Sequence, residues 1–325
     1  VAADSAILVE GLRKSFGDVH ALAGIDLDVP RGTVLGVLGP NGAGKTTAVK
    51  VLTTLTLPDS GTALVDGRDV VKDPAGVRRS IGLAGQSAAI VDELTGRENL
   101  DFIGRLYHLS SAQVRARTTE LLERFDLTAA GNRRAKTYSG GMMRKLDLAA
   151  SLVAKPTVLF LDEPTTGLDP RARNDMWAVI RDLVAGGTTL LLTTQYLDEA
   201  DELADDIVVV DHGTIIAQGS ADDLKNRIGG DVVEFVVTDP AVRMRALAAV
   251  ARLTDDEPSL DDDGRISLRV GQRGSEVLVE VVRRLDAEAI VSRGLAVRRP
   301  SLDDVFLSLT GHAAEAEAES AQVRR

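Results

Sequence analysis

The stretch GPNGAGKTT, from Gly39 to Thr47, constrains this chain more than any other. It follows the apolar, β-branched run Val34 to Leu38 and leads into AVKVLTTL, whose pattern suits a helix. A glycine-rich loop between strand and helix is built to bind phosphate. Its glycines let backbone N–H groups approach phosphate oxygens, and the helix N-terminus adds positive partial charge. The ammonium of Lys45 can reach the β- and γ-phosphates of a nucleotide. Gly39, Pro40, Asn41, Gly42, Ala43, Gly44, Lys45, Thr46 and Thr47 are therefore expected to hold nucleotide, with the Thr46 hydroxyl offered to Mg²⁺.

The chain around this loop has 325 residues, enough for one large domain and a smaller one. No apolar run approaches the length needed to cross a bilayer, so direct membrane insertion is not expected. The start of the chain has no basic stretch leading into an apolar one, which points to the cytoplasm. The absence of cysteine rules out disulfides and thiolate metal sites. A net charge of −11 argues against a nucleic-acid partner, since phosphate backbones are bound by surplus Lys and Arg. It also disfavours adsorption to anionic lipid, so any work at a membrane needs another protein as the anchor.

Ahead of the loop, Ile7 to Phe16 and Ala21 to Val29 read as two strands of an antiparallel edge. Phe16 sits where its ring can stack on a nucleotide base or close the rim of the core. After the first helix, Ser60 to Val70 has hairpin punctuation, and RRSIGLAGQ reads as a strand ending at Gln86. Gln86 at such an end can ligate Mg²⁺ and orient water, or be an ordinary polar loop residue. From Leu94 to Leu152 the apolar period becomes helical, an insertion with capping-box spacing at Thr95 and Glu98 and a cap at Ser110 or Ser111. Within it, Ser139, Gly140 and Gly141 open a helix, either as a plain N-cap or as a second anion-binding surface.

The downstream segment decides between those readings. PTVLFLDEPTTGLD, Pro156 to Asp169, holds a continuous apolar strand, the mark of a strand buried on both faces of a parallel sheet. It sets Asp162 and Glu163 at the strand's C-terminal end, where open α/β sheets bind ligands. One acid can hold Mg²⁺ while the next orients or deprotonates water. A helix (PRARNDMWAVIRDLV), a buried strand (Thr188 to Gln195), an acidic helix and a strand pair turning at His212 and Gly213 complete this part.

The ordered set GPNGAGKTT, Gln86, SGG, FLDEP, GLD and a polar residue after the next strand resembles the nucleotide-binding subunit of an ATP-binding cassette (ABC) transporter. AGQ, ELTGRENL, YSGGM, TTQYLDEAD and the late RRPSLDDVFLSLTG are similar to ATP-binding subunits of actinobacterial drug exporters of the daunorubicin and doxorubicin resistance type. The resemblance implies a mixed α/β ABC-type P-loop fold over 1–222, with an antiparallel edge and a helical subdomain at about 94–152. A small α+β accessory domain would occupy 223–311. It also implies an ATPase that drives efflux of a drug or antibiotic through a separate permease, with ATP and Mg²⁺ as cofactors.

In that family two such domains sandwich nucleotide head to tail. By similarity Thr46, Gln86 and Asp162 would bind Mg²⁺, and Glu163 would be the general base. Ser139, Gly140 and Gly141 would meet the γ-phosphate on the partner subunit, and Asp169 would signal across the dimer. The expected location is the inner face of the cell membrane, held by the permease. The competing expectation is a soluble cassette ATPase of translation or DNA repair. Three residues depart from the family pattern: Tyr138 opens the signature, Phe16 replaces the usual tyrosine, and Gln195 stands where a switch histidine is expected. An amide cannot become cationic, so slower or more partner-dependent hydrolysis is expected than with histidine.

From Asp231 to Pro300 the pattern is strand, helix, strand, helix, strand, compatible with a ferredoxin-like domain. The acidic stretch Asp255 to Asp263 lacks calcium-loop spacing and reads as a solvated hairpin loop. Ser301 begins a capped helix, and residues 312–325 read as a disordered tail.

Overall fold

The chain opens with two long strands, β1 (Ser5–Phe16) and β2 (Val19–Pro30), paired antiparallel with Phe16 opposite Val19. The computed structural model describes residues 5–85, 90–227, 230–254, 257–271, 273–299, 301–302 and 304–306. Next come β3 (Val34–Leu38), α1 (Lys45–Leu52), β4 (Ser60–Val65) and β5 (Arg68–Asp69). The expected hairpin is thus β4–β5, and it extends the first sheet to the order β2-β1-β4-β5.

One expectation fails here. RRS of RRSIGLAGQ belongs to helix α2 (Pro74–Ser80), and only β6 (Ile81–Ala84) is strand. Asp73 caps α2 by accepting from Gly76 N–H at 2.9 Å, and Pro74 at the first helical position needs no N–H partner. This short Asp-Pro start turns RRS into helix, so the strand begins only at Ile81.

The helical insertion holds α3 (Gly96–Leu106), α4 (Ser111–Arg124) and α5 (Gly140–Ser151). Both expected caps are capping boxes: Thr95 with Glu98, and Ser110 with Gln113. The remaining elements of the larger unit are β7 (Val158–Asp162), α6 (Pro170–Ala185), β8 (Thr189–Thr194), α7 (Leu197–Leu203), β9 (Asp206–Asp211) and β10 (Thr214–Gly219).

The second sheet runs β10-β9-β3-β8-β7-β6, and its β6, β7, β8, β3 and β9 pairings are parallel. All residues of β3, β7 and β8 are buried, as continuous apolar strands in a covered parallel sheet require. Alternation divides their side chains between two cores. Val37, Phe160, Leu191 and Val208 pack with α1 and the antiparallel sheet. Leu159, Leu161, Leu190 and Leu192 pack with Leu146, Leu148 and Phe125 of the helical side.

The chain divides into two compact units, Val1–Gln218 and Gly219–Arg325. The second contains α8 (Ala221–Arg227), β11 (Asp231–Val236), α9 (Pro240–Val250), β12 (Ser259–Leu260), β13 (Arg265–Gly271), α10 (Gly274–Ala287) and β14 (Arg293–Arg298). Its sheet order, β12-β13-β11-β14 with every pairing antiparallel, is the ferredoxin-like arrangement. The short β12 was not foreseen. In the acidic stretch, Asp255 and Asp256 lie outside the described residues, and Asp261 closes a turn by accepting from Arg265 N–H at 2.8 Å. Ser301 and Asp304 cap one another, with Leu302 and Val305 buried, while the tail expected at 312–325 lies outside the described residues.

Replacing Thr95 with Ala removes one half of its capping box and should cost about 1 kcal/mol. Thermal unfolding of the full chain should show the first transition lowered by roughly 2–4 °C, with Thr95→Ser close to wild type.

Candidate nucleotide site

The sheet's parallel register brings together the residues singled out above. Leu38, the last residue of β3 before the glycine loop, pairs with Thr194, and Thr193 pairs with Asp162. On the far side Ala84 pairs with Leu161. The loop, the two carboxylates and the segment after Thr194 therefore leave one edge of the sheet side by side.

The loop is held by tight packing on two sides. A Cβ at Gly39 would lie 2.2 Å from the Val210 carbonyl oxygen, and one at Gly44 would lie 2.2 Å from that of Ala21. Gly44 also has φ 110°, a conformation that side chains disfavour. Gly213 N–H donates to the Ala43 carbonyl at 2.9 Å, so the β9–β10 turn clamps the loop from outside.

Lys45 is buried and folds back on this loop, donating to the carbonyls of Gly39 at 2.7 Å and Pro40 at 3.0 Å. Desolvation lowers its pKa, opposed by the nearby charges of Glu163 and Asp162. Asp162 Oδ1 accepts from Thr193 at 2.5 Å and from Thr46 at 3.3 Å. Thr46 and Asp162 thus place two hard oxygen donors side by side. Mg²⁺ suits such a pair, because it takes one or two protein ligands and completes its shell with phosphate and water.

Glu163 is the first residue beyond β7 and has φ 52°, unusual for a residue other than glycine. Its N–H donates to the Thr193 carbonyl at 3.0 Å, and its Oε2 accepts from the Thr166 hydroxyl at 3.3 Å. Strand β8 thus sets the backbone of this turn, and Thr166 holds the carboxylate. Such strained residues tend to persist where function holds them.

The other expected residues fall as follows. Phe16 is exposed, with Lys14 Nζ 5.3 Å from its ring centre. It pairs with Val19, close along β2 to the Ala21 carbonyl that touches Gly44. Ser139 caps α5 by accepting from Met142 N–H at 3.3 Å. Ser139 and Gly140 are exposed, and a Cβ at Gly140 would meet nothing within 4 Å, so this helix end is open. Tyr138 anchors it by donating to the Ala130 carbonyl at 2.8 Å. Asp169 caps α6, accepting from Ala172 N–H at 2.8 Å. Gln195 is exposed just beyond β8. Gln86 lies outside the described residues.

Several contributors escaped sequence reading. Thr193 and Thr166 steer the two carboxylates, but only the fold shows which hydroxyls do so. Gly85 is held on both sides by α5: its N–H donates to Asp147 at 3.1 Å and its carbonyl accepts from Arg144 at 3.2 Å. Glu199 of α7 is completely buried and accepts from the Thr165 hydroxyl at 2.8 Å and the Trp177 indole at 3.2 Å. Its place in an acidic helix gives no local sign of this burial.

Residues 22–166 match the family model described as "ABC transporter". The chain is 54% identical over 311 residues to the daunorubicin resistance ATP-binding protein DrrA2 of Streptomyces coeruleorubidus, covering 95% of this chain and 96% of that protein. It is 48% identical over 312 residues to the doxorubicin resistance ATP-binding protein DrrA of Mycobacterium tuberculosis H37Rv, covering 94% of each. Among solved structures, cbiO1 of Clostridium perfringens, part of the ABC transporter complex cbiONQ, superposes with a TM-score of 0.63. That match has 28% identity and covers 68% of this chain and 90% of cbiO1. A phosphate loop and paired carboxylates at the strand ends of one parallel sheet, an exposed helix start at Ser139 in the helical insertion, and relatives of this closeness over nearly the whole length show that the chain belongs to the ABC transporter family as an ATP-binding ATPase.

Proposed function

We propose that the chain energises export of a drug or antibiotic, working as a homodimer on a separate membrane permease at the inner face of the cell membrane. The observation that carries this reading is the convergence of Lys45, Asp162 and Glu163 on one sheet edge. Near-full-length similarity to proteins named for daunorubicin and doxorubicin resistance supports the export part and disfavours a role in translation or DNA repair.

In this reading Lys45 leaves the loop carbonyls for the phosphates of ATP, exchanging two neutral acceptors for charged ones. Residues Gly39 to Thr47 wrap the phosphates, and Phe16 stacks on the base. Thr46, Asp162 and Gln86 would hold Mg²⁺, which when bound neutralises phosphate charge. Glu163, turned out of the strand, orients a water and takes its proton. Gln195 stands beside the γ-phosphate as a neutral donor.

Two positive helix ends that could share one anion support the dimer. α1 begins at the phosphate loop and α5 begins at exposed Ser139, so a second copy brings its own Ser139, Gly140 and Gly141 to the nucleotide. Asp169 lies on the same exposed surface, since a Cβ at Gly141 would be 3.4 Å from Ala172, in the helix Asp169 caps.

No helix among the described residues is long and apolar enough to cross a membrane. A groove of about 390 Å³ runs beside β6 and α3, lined in part by Leu55, Leu83, Ile103, Leu106 and Tyr107. Leu55 and Leu106 remain 62% and 60% exposed, which leaves an apolar surface for the permease.

Lys45→Ala should abolish ATP hydrolysis by the purified chain. Glu163→Gln should still bind ATP but lose turnover and run as a dimer in size exclusion with Mg-ATP; persistent hydrolysis would remove Glu163 from the base role. Gln195→His should raise turnover, read as kcat with and without the permease. Leu106→Asp should weaken co-fractionation with membranes carrying the permease while leaving ATP binding intact.

A further inference from the structure

The residue that follows Thr194 is separated in sequence from the Glu163 turn by all of α6 and β8. In the fold one buried side chain joins them. Glu199, in the first turn of α7, accepts from Thr165, two residues beyond Glu163, at 2.8 Å. The same oxygen accepts from the Trp177 indole of α6 at 3.2 Å.

The segments on either side of this point are also tied down. The Thr166 hydroxyl donates to Glu163, which fastens the turn to the carboxylate at its start. Tyr196 N–H donates to the Thr194 hydroxyl at 2.9 Å, so the chain on either side of Gln195 is closed into a short loop. The Arg173 guanidinium of α6 lies 4.8 Å from the Tyr196 ring centre and donates to Asp198 at 3.0 Å. Asp169 caps α6 at the end nearest the same turn.

Burying a carboxyl is costly, so a structural filler at this position would more simply be apolar. Glu199 and Thr165 are each fully buried. Burial pushes the Glu199 pKa up, against the hydroxyls of Thr194 and Thr165 and the Trp177 indole. One oxygen of Glu199 is shared by donors from two separate segments, so this carboxyl fixes where those segments meet.

We propose that Glu199 is a positioning residue that ties the Gln195 segment to the Glu163 turn, so that the two respond to nucleotide as one body. The inference rests on the roles assigned above to Glu163 and Gln195. Glu199 touches no reacting group. It sets the distance between the turn that activates water and the loop that senses the γ-phosphate.

Trp177 is the only tryptophan in the chain, so its emission reports this junction alone. With purified full chain, Mg-ATP should change Trp177 emission and Mg-ADP should change it less. Glu199→Leu, similar in volume but unable to accept, should lower kcat by about tenfold with little change in the KM for ATP and should lose the Mg-ATP emission response. Glu199→Gln keeps an acceptor oxygen and should restore both. Thr165→Val removes only one donor and should reduce both readouts, which decides the matter if Glu199→Leu fails to fold. Unchanged kcat and emission response in folded Glu199→Leu would overturn the proposal, as would Glu199→Gln as impaired as Leu. Lys45→Ala separates the two levels: hydrolysis persisting there overturns the ATP-site reading, whereas hydrolysis lost there and untouched in Glu199→Leu overturns only the positioning role.

Discussion

The hydrogen-bonded register between β3, β8 and β7 is the constraint from which the site follows. Leu38 opposite Thr194 and Thr193 opposite Asp162 place three strand ends level with one another. A slip by one residue would turn each buried side chain to the opposite face and take Asp162 away from Thr46. The two apolar cores forbid that slip, because Phe160 and Leu191 fill one core while Leu159 and Leu190 fill the other. Hydrophobic packing thereby holds polar groups at hydrogen-bonding distances.

Electrostatics then sets what those groups can do. Lys45 is kept from water among carbonyls, with two carboxylates near enough to favour its charge. Such an ammonium is poorly solvated and ready for a better anion, which a triphosphate supplies. Asp162 meets hydroxyls from two different elements, whereas Glu163 turns away on strained backbone. Neighbouring acids are thus given different surroundings by one change of backbone direction.

The helical insertion is joined to this edge through backbone as well as side chains. Arg144 and Asp147, on the helix that Ser139 opens, grip Gly85 at the end of β6. A displacement of α5 is therefore felt at the strand adjoining β7. The buried Glu199 junction does the same on the other flank. A stiff sheet with polar clasps on each side suits a protein whose nucleotide must be sensed by distant surfaces.

Much of this was readable in order of residues. The glycine loop, the acids after an apolar run, the Thr95 capping box, a cap near Ser110 and the strand-helix-strand-helix-strand order of the smaller unit are local signals, since spacing and residue type alone carry their physics. Helix α2 was missed because its Asp73-Pro74 start is brief and an apolar strand follows at once. Thr193, Thr166, Arg144 and Glu199 were beyond reach for a different reason. Serving a site from these positions depends on which partner lies opposite, and a hydroxyl or carboxyl looks the same whether solvated or clasped. Order along the chain thus determined the phosphate loop, the strand-end acids and the ATPase family. Tertiary packing alone decided which buried polar atoms meet, because strand register and core volume act between segments far apart in sequence.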